Sequence, residues 1–200
     1  MLIGVPKEVK NNEFRVGLAP ANVQEVIDHG HQVIVQANAG VGIGATDSAY
    51  EAIGATIIDT PEEIFEKAEM IVKVKEPLTA ERALLREGQV LFTYLHLAPD
   101  PDQTRELVDS GAVCIAYETV TSPSGGLPLL APMSKVAGRM AVQVGAWCME
   151  EPHGGLGMLL GGVPGVDPAK VRKALGGGFA DSRPFQCTRN GLYGRNACIK

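Results

Sequence analysis

Short apolar runs alternate with helix-like segments through residues 2–116, and this alternation constrains the fold more than any other feature of the chain. Leu2 to Val5 is the first apolar run. Pro20 then suits a first helical position, Val23, Val26 and Ile27 share one face, and Gly30 can cap the end of a helix over 20–29. His31 to Val35 returns to strand. Asp47 is placed to cap a short helix through Ala52 that Gly54 ends, and Ile57-Ile58 is a weak strand. Thr60-Pro61-Glu62-Glu63 has the cap, proline and first-turn acids of a helix start. Two more strands follow, one from Met70 towards Lys75 and one from Val90 towards His96, with a short helix near 79–86 between them. Asp100 or Asp102 opens a helix to about Ser110, and Ala112 to Ala116 is a further strand. The order predicts βαβ units, hence an α/β fold of Rossmann-like or flavodoxin-like kind: a parallel sheet with helices on both faces.

After a loop at 121–128, Ser134 is placed to cap a long helix to about Glu150. That helix is apolar almost all round (Val136, Ala137, Met140, Val144, Trp147, Cys148), as expected of one buried or packed between domains. A glycine-rich stretch covers 154–166. Charge then breaks sharply. Residues 1–171 carry 12 Lys and Arg against 22 Asp and Glu, whereas residues 172–200 carry 6 against Asp181 alone. The expected division is a first domain over 1–128, an interdomain helix with the start of a second domain over 129–171, and an atypical tail over 172–200, frameshifted or disordered.

The net charge of −5 argues against a general nucleic-acid binder, which needs clustered Lys and Arg. The start has no basic leader before an apolar run, and no apolar stretch approaches the ~20 residues needed to span a bilayer. A cytoplasmic protein with no membrane partner is the expectation. Cys114, Cys148, Cys187 and Cys198 lack paired metal-ligand spacing, so no metal is expected; Cys114 and Cys148 read as buried thiols.

Polar groups gather where the strands run out: Lys7 and Glu8, Lys73 and Lys75, Tyr94 and His96, Tyr117 and Glu118. In an open parallel sheet these ends share one edge, and ligands bind in the crevice beyond it. Arg15, in the loop after the first strand, can join them. Each has a plainer reading. A strand-end lysine is most often a solvated edge residue, a lone histidine is more often structural, and Arg15 could pair with Glu13 or Glu8 at the surface. Taken together they point to a small anionic substrate. Arginine grips a carboxylate in a bidentate fork, lysine adds charge, and histidine moves a proton. A Schiff base at Lys75 is a further chemical option. The glycines near 155–161 and 176–178 do not make the Gly-x-Gly-x-x-Gly turn of a dinucleotide site.

Several segments together resemble one known family: Ile3-Gly4-Val5-Pro6-Lys7-Glu8, Asn12-Glu13 with Arg15-Val16, Lys73-Val74-Lys75-Glu76-Pro77, Phe92-Thr93-Tyr94-Leu95-His96-Leu97, Ala116-Tyr117-Glu118-Thr119, Pro132-Met133-Ser134 with Ala137-Gly138-Arg139-Met140, and Gly161-Gly162-Val163-Pro164-Gly165-Val166. From Met1 to about Val171 the chain resembles the amino-terminal part of bacterial NAD-dependent L-alanine dehydrogenases. The resemblance implies that Arg15 and Lys75 bind pyruvate or alanine, that His96 is the acid–base catalyst, and that Ser134 contacts the NAD cofactor. It implies oxidative deamination of L-alanine to pyruvate and ammonia, usually by a homo-hexamer. Beyond Val171 the sequence departs from the family, where an apolar strand and a pyrophosphate-binding turn are expected, so the chain alone is expected not to turn over. A transhydrogenase α-subunit-like NAD-binding protein is the nearest alternative. Lys75 and the Thr93-Tyr94-Leu95-His96 segment favour the dehydrogenase over it. A non-catalytic carboxylate-binding or inert fragment is the other.

Overall fold

The computed structural model describes residues 1–166 and, as backbone, the strand segments 171–173, 186–188, 191–194 and 197–199. The chain divides into two units, Met1–Ser124 and Gly125–Lys200.

In the first unit, β1 (Leu2–Val5), β2 (Gln32–Gln36), β3 (Thr56–Ile58), β4 (Met70–Val72), β5 (Val90–Thr93) and β6 (Val113–Ala116) pair in parallel in the order β3-β2-β1-β4-β5-β6. The helices α1 (Pro20–Asp28), α2 (Asp47–Glu51), α3 (Pro61–Lys67), α4 (Thr79–Arg82) and α5 (Pro101–Asp109) fall between successive strands. This is the doubly wound order. The chain builds outward from β1 on one side, then returns to start β4 on the other.

Alternation along β2 shows why both faces must be covered. Val33 and Val35 join one apolar cluster with Ile3, Val5, Val23 and Tyr50; Ile34 joins the other with Ile64, Phe65, Ile71, Leu91 and Leu107. A strand whose successive side chains enter two cores has helices on both sides.

Most predicted elements appear where the sequence places them. Thr60 caps α3 by accepting from Glu63 N, and Asp100 caps α5 by accepting from Gln103 N. Two caps differ. Thr46, not Asp47, caps α2 through Ala49 N, and Asp47 instead accepts from Asn38 N. Ser134 caps nothing: α6 (Ala131–Met149) begins three residues earlier, with Pro132 in its first turn. Proline suits that turn because the amide it lacks would have no helical partner there.

Burial along α6 is uneven: Val136, Met140 and Trp147 are about half exposed, while Val144, Cys148 and Met149 pack with Met158 and Leu160. Periodicity records what a helix could bury, and says nothing of whether a partner is present. Cys148 is buried as expected; Cys114 is only half-buried, and burial pushes its thiol up from its ordinary value.

The backbone of the last segments forms an antiparallel sheet of β7 (Val171–Lys173), β8 (Gln186–Thr188), β9 (Gly191–Gly194) and β10 (Ala197–Ile199), ordered β7-β10-β9-β8. Gly176 to Gly178, weighed above as a phosphate turn, lie outside the described residues. No described helix is long and apolar enough to cross a membrane.

Candidate functional site

The sheet changes direction of growth between β1 and β4, so their carboxyl ends diverge into a crevice. Arg15 lies in the loop after β1 and Lys75 lies just past β4, so both approach this switch point. The β4–β5 hydrogen bonding continues beyond the regular strands, through Lys73 N to Phe92 O (3.1 Å) and Tyr94 N to Val74 O (3.3 Å). That continuation sets the Lys75 segment beside Tyr94 and Leu95.

Gly17 brings the β1 loop back onto the β4 end. A Cβ there would stand 2.3 Å from the Val72 carbonyl oxygen, so only glycine fits.

Lys73 departs most from expectation. It is not a solvated edge residue: its exposure is 0%, and its Nζ lies 2.5 Å from Glu81 Oε1 and 3.5 Å from Glu8 Oε2. Glu8 Oε1 in turn accepts from Val74 N at 2.6 Å. Burial raises the Glu8 carboxyl above its ordinary value, opposed by the charge of Lys73. The sequence held a usable signal. Lys73 sits inside Met70-Ile71-Val72-Lys73-Val74, a run buried on both faces, and a charge there needs a carboxylate partner.

Side chains add to the β4–β5 backbone bonds in holding the irregular strap 73–78. Glu8 takes the amide of Val74, Thr93 Oγ1 donates to the Lys75 carbonyl (2.9 Å), Arg82 Nη1 donates to the Pro77 carbonyl (2.8 Å), and Glu81 Oε2 accepts from Leu78 N (2.9 Å). Lys10 adds an ion pair to Glu76. Lys75 therefore rides on an immobilised backbone.

Arg15 makes the pair foreseen as its plainer reading. Its Nε and Nη2 donate to the two carboxylate oxygens of Glu13 at 2.8 and 2.6 Å, and its own amide donates to Glu13 Oε1 at 2.9 Å. These bonds hold the Glu13 carboxyl below its usual value and raise the guanidinium. The fork nonetheless faces the crevice groups electrostatically. Lys75 acts on Glu13, and Arg15 acts on the Tyr94 phenol, whose burial pushes it up.

His96 completes this chain of neighbours. Its ring stacks on that of Tyr94 at 6.0 Å and 13°, and Tyr94 meets Tyr117 edge-on at 5.0 Å. Arg15, Lys75, Tyr94 and His96 are thus linked through successive contacts or fields along the edge formed by β1, β4 and β5. Lys7 is exposed and takes no part. Ser134 belongs to the second unit, where its hydroxyl donates to the Leu130 carbonyl at 3.4 Å. Among the described residues no cluster has the makings of a metal site.

These features define a doubly wound α/β domain whose carboxyl strand-end edge carries Arg15 after β1, Lys75 after β4 and His96 after β5. Residues 4–137 match the family described as alanine dehydrogenase/PNT, N-terminal domain, and residues 141–189 match its C-terminal domain. The chain belongs to the alanine dehydrogenase/PNT family. It is 57% identical over 178 residues to an alanine dehydrogenase of Halomonas elongata, covering 89% of this chain and 48% of that protein. It is 55% identical over 178 residues to an alanine dehydrogenase of Bacillus subtilis, covering 89% and 46%. A solved L-alanine dehydrogenase superposes with a TM-score of 0.73 at 51% identity, over 84% of this chain and 46% of that one. A transhydrogenase from Sinorhizobium meliloti superposes with a TM-score of 0.66 at 24% identity, over 75% and 45%, which is a likeness of fold. The chain spans about half the length of the curated relatives it matches.

Proposed function

We propose that this chain is the substrate-binding portion of an NAD-dependent alanine dehydrogenase, which converts L-alanine, oxidised NAD and water to pyruvate, ammonium, NADH and a proton. The observation that supports the reading is that Arg15 follows β1 and Lys75 follows β4, the two strands that flank the switch point, with His96 after β5 on the same edge of the sheet. Arg15, oriented by Glu13, grips the substrate carboxylate through charge-assisted hydrogen bonds. Lys75, on its immobilised strap, holds the carbonyl oxygen. His96 gives and takes the proton at the oxygen or nitrogen on the reacting carbon.

The described residues do not build the dinucleotide's pyrophosphate site. Gly155 and Gly157 donate their amides to the Glu150 and Met149 carbonyls, closing the end of α6. A Cβ on Gly155 would stand 2.3 Å from the Met149 carbonyl carbon, so that close approach serves the helix end. These residues therefore carry the substrate half of the reaction. Ser134, half-buried in the first turn of α6, is proposed as a cofactor contact on the family resemblance. Assembly into a homo-hexamer and a cytoplasmic location are proposed on the same ground.

Calorimetry of the chain with pyruvate tests the reading. Saturable binding is expected, reduced at least about tenfold in Arg15→Ala, because charge-assisted hydrogen bonds contribute about 1.5–3 kcal/mol each. Acetone, which lacks the carboxylate, is expected not to bind. Equal binding of pyruvate and acetone, or binding indifferent to Arg15, would refute it.

A further inference from the structure

His96 has a backbone φ of +49°, in the left-handed region that an L-residue with a bulky side chain rarely enters. Such a conformation persists only where surrounding groups impose it. Here those groups are identifiable. Glu118 follows β6 and turns its carboxylate onto two successive amides, accepting from His96 N at 2.7 Å and Leu95 N at 3.1 Å through Oε1, with Oε2 3.3 Å from Leu95 N. Two consecutive N–H groups converging on one anion form a nest, and in this protein the anion is its own side chain. From below, Gln103 of α5, 1% exposed, donates Nε2 to the Leu95 carbonyl at 2.5 Å. The Leu95 side chain is buried in the core. The backbone at 95 and 96 is therefore gripped by β6 and α5, and the His96 ring is left against Tyr94.

We infer that Glu118 is a positioning residue for His96, holding the imidazole at the crevice by filling the nest formed by the Leu95 and His96 amides. This rests on the reading of His96 as the proton carrier. Glu118 acts through the backbone and makes no contact with substrate. An asparagine or glycine would enter the left-handed region more readily, but neither supplies an imidazole. The carboxylate lets a histidine stand there.

The test is nuclear magnetic resonance of the chain without ligand, comparing wild type with E118A and E118Q. In E118A the Leu95 and His96 amides are expected to exchange at least about tenfold faster, the loss of charge-assisted bonds of this kind. Leu91 and Phe92 in β5 should be unchanged. The His96 ring protons should lose the shift that stacking on Tyr94 gives them. E118Q keeps an acceptor without the charge, so it is expected to retain the ring shift and lose part of the amide protection. If E118A does not fold, selective loss of protection at 95 and 96 in E118Q supports the assignment, and protection equal to wild type overturns it. A His96 ring shift and amide protection that survive in folded E118A also overturn it. Pyruvate addition separates the two ideas. Wild-type His96 ring resonances that ignore saturating pyruvate would count against the proton-carrier reading, while the ligand-free comparison would still decide the role of Glu118.

Discussion

Replacing Lys73 by methionine isolates what the buried ion cluster contributes. Methionine follows the lysine side chain as far as Cε but leaves Glu8 and Glu81 facing each other without a cation. Removing one partner from a buried ion group costs about 3–5 kcal/mol, because an uncompensated charge remains. Against a domain stability of about 5–15 kcal/mol, that is about a fifth of the total or more. With a urea slope of about 2 kcal/mol per molar, the unfolding midpoint should fall by about 2 M. Circular dichroism should follow the transition, because the one tryptophan, Trp147, lies in the second unit.

The pH dependence carries a sign. Burial raises the folded-state Glu8 carboxyl above its ordinary value, and Lys73 is the chief charge opposing that rise. Stability from a raised carboxyl is present below its unfolded value and is lost as pH rises through its folded value. Without Lys73 the rise is larger, so Lys73→Met should be more damaging at about pH 7 than at about pH 5, nearer the ordinary carboxylate range. Adding Glu8→Gln, which keeps an acceptor for Val74 N, should recover part of the loss. A Lys73→Met chain as stable as wild type, or a loss that does not shrink on acidification, would refute the reasoning.

Gly17→Ala should lower the melting temperature by several degrees, because overpacking against the Val72 carbonyl costs about 1–3 kcal/mol; an unchanged melting curve would show that the β1 loop does not sit on the β4 end. Thr93→Val leaves the Lys75 carbonyl without its hydroxyl partner, so it should weaken pyruvate binding, with Thr93→Ser restoring it in calorimetry. Burial raises the Tyr117, Tyr94 and Tyr50 phenols, so their contribution to stability should be level below about pH 10 and be lost as pH rises further. Alkaline unfolding followed by circular dichroism checks this.

The strands and most helix starts were legible because their causes are local. Apolar runs announce β1, β2 and β5, and Thr60-Pro61 and Asp100-Pro101 announce α3 and α5. The crevice was legible because a parallel sheet collects its strand ends on one edge. What escaped depends on residues distant in sequence. Lys73 read as solvated because its burial depends on Glu81, across the turn into α4, and on Glu8, 65 positions earlier on another strand end. The left-handed turn at His96 has no local mark, since Glu118 imposes it from 22 positions away. The exposure of α6 was equally hidden, because an apolar pattern does not say whether a partner lies against it.

The central claim is that the β1–β4 switch point of this chain is a small-carboxylate site. Titrating the isotope-labelled chain with pyruvate and following every backbone amide tests it most directly. Saturable shifts should concentrate at residues 13–15, 75 and 94–96, and Arg15→Ala should move their midpoint to at least about tenfold higher pyruvate. Shifts centred elsewhere, or none at saturating pyruvate, would contradict the account.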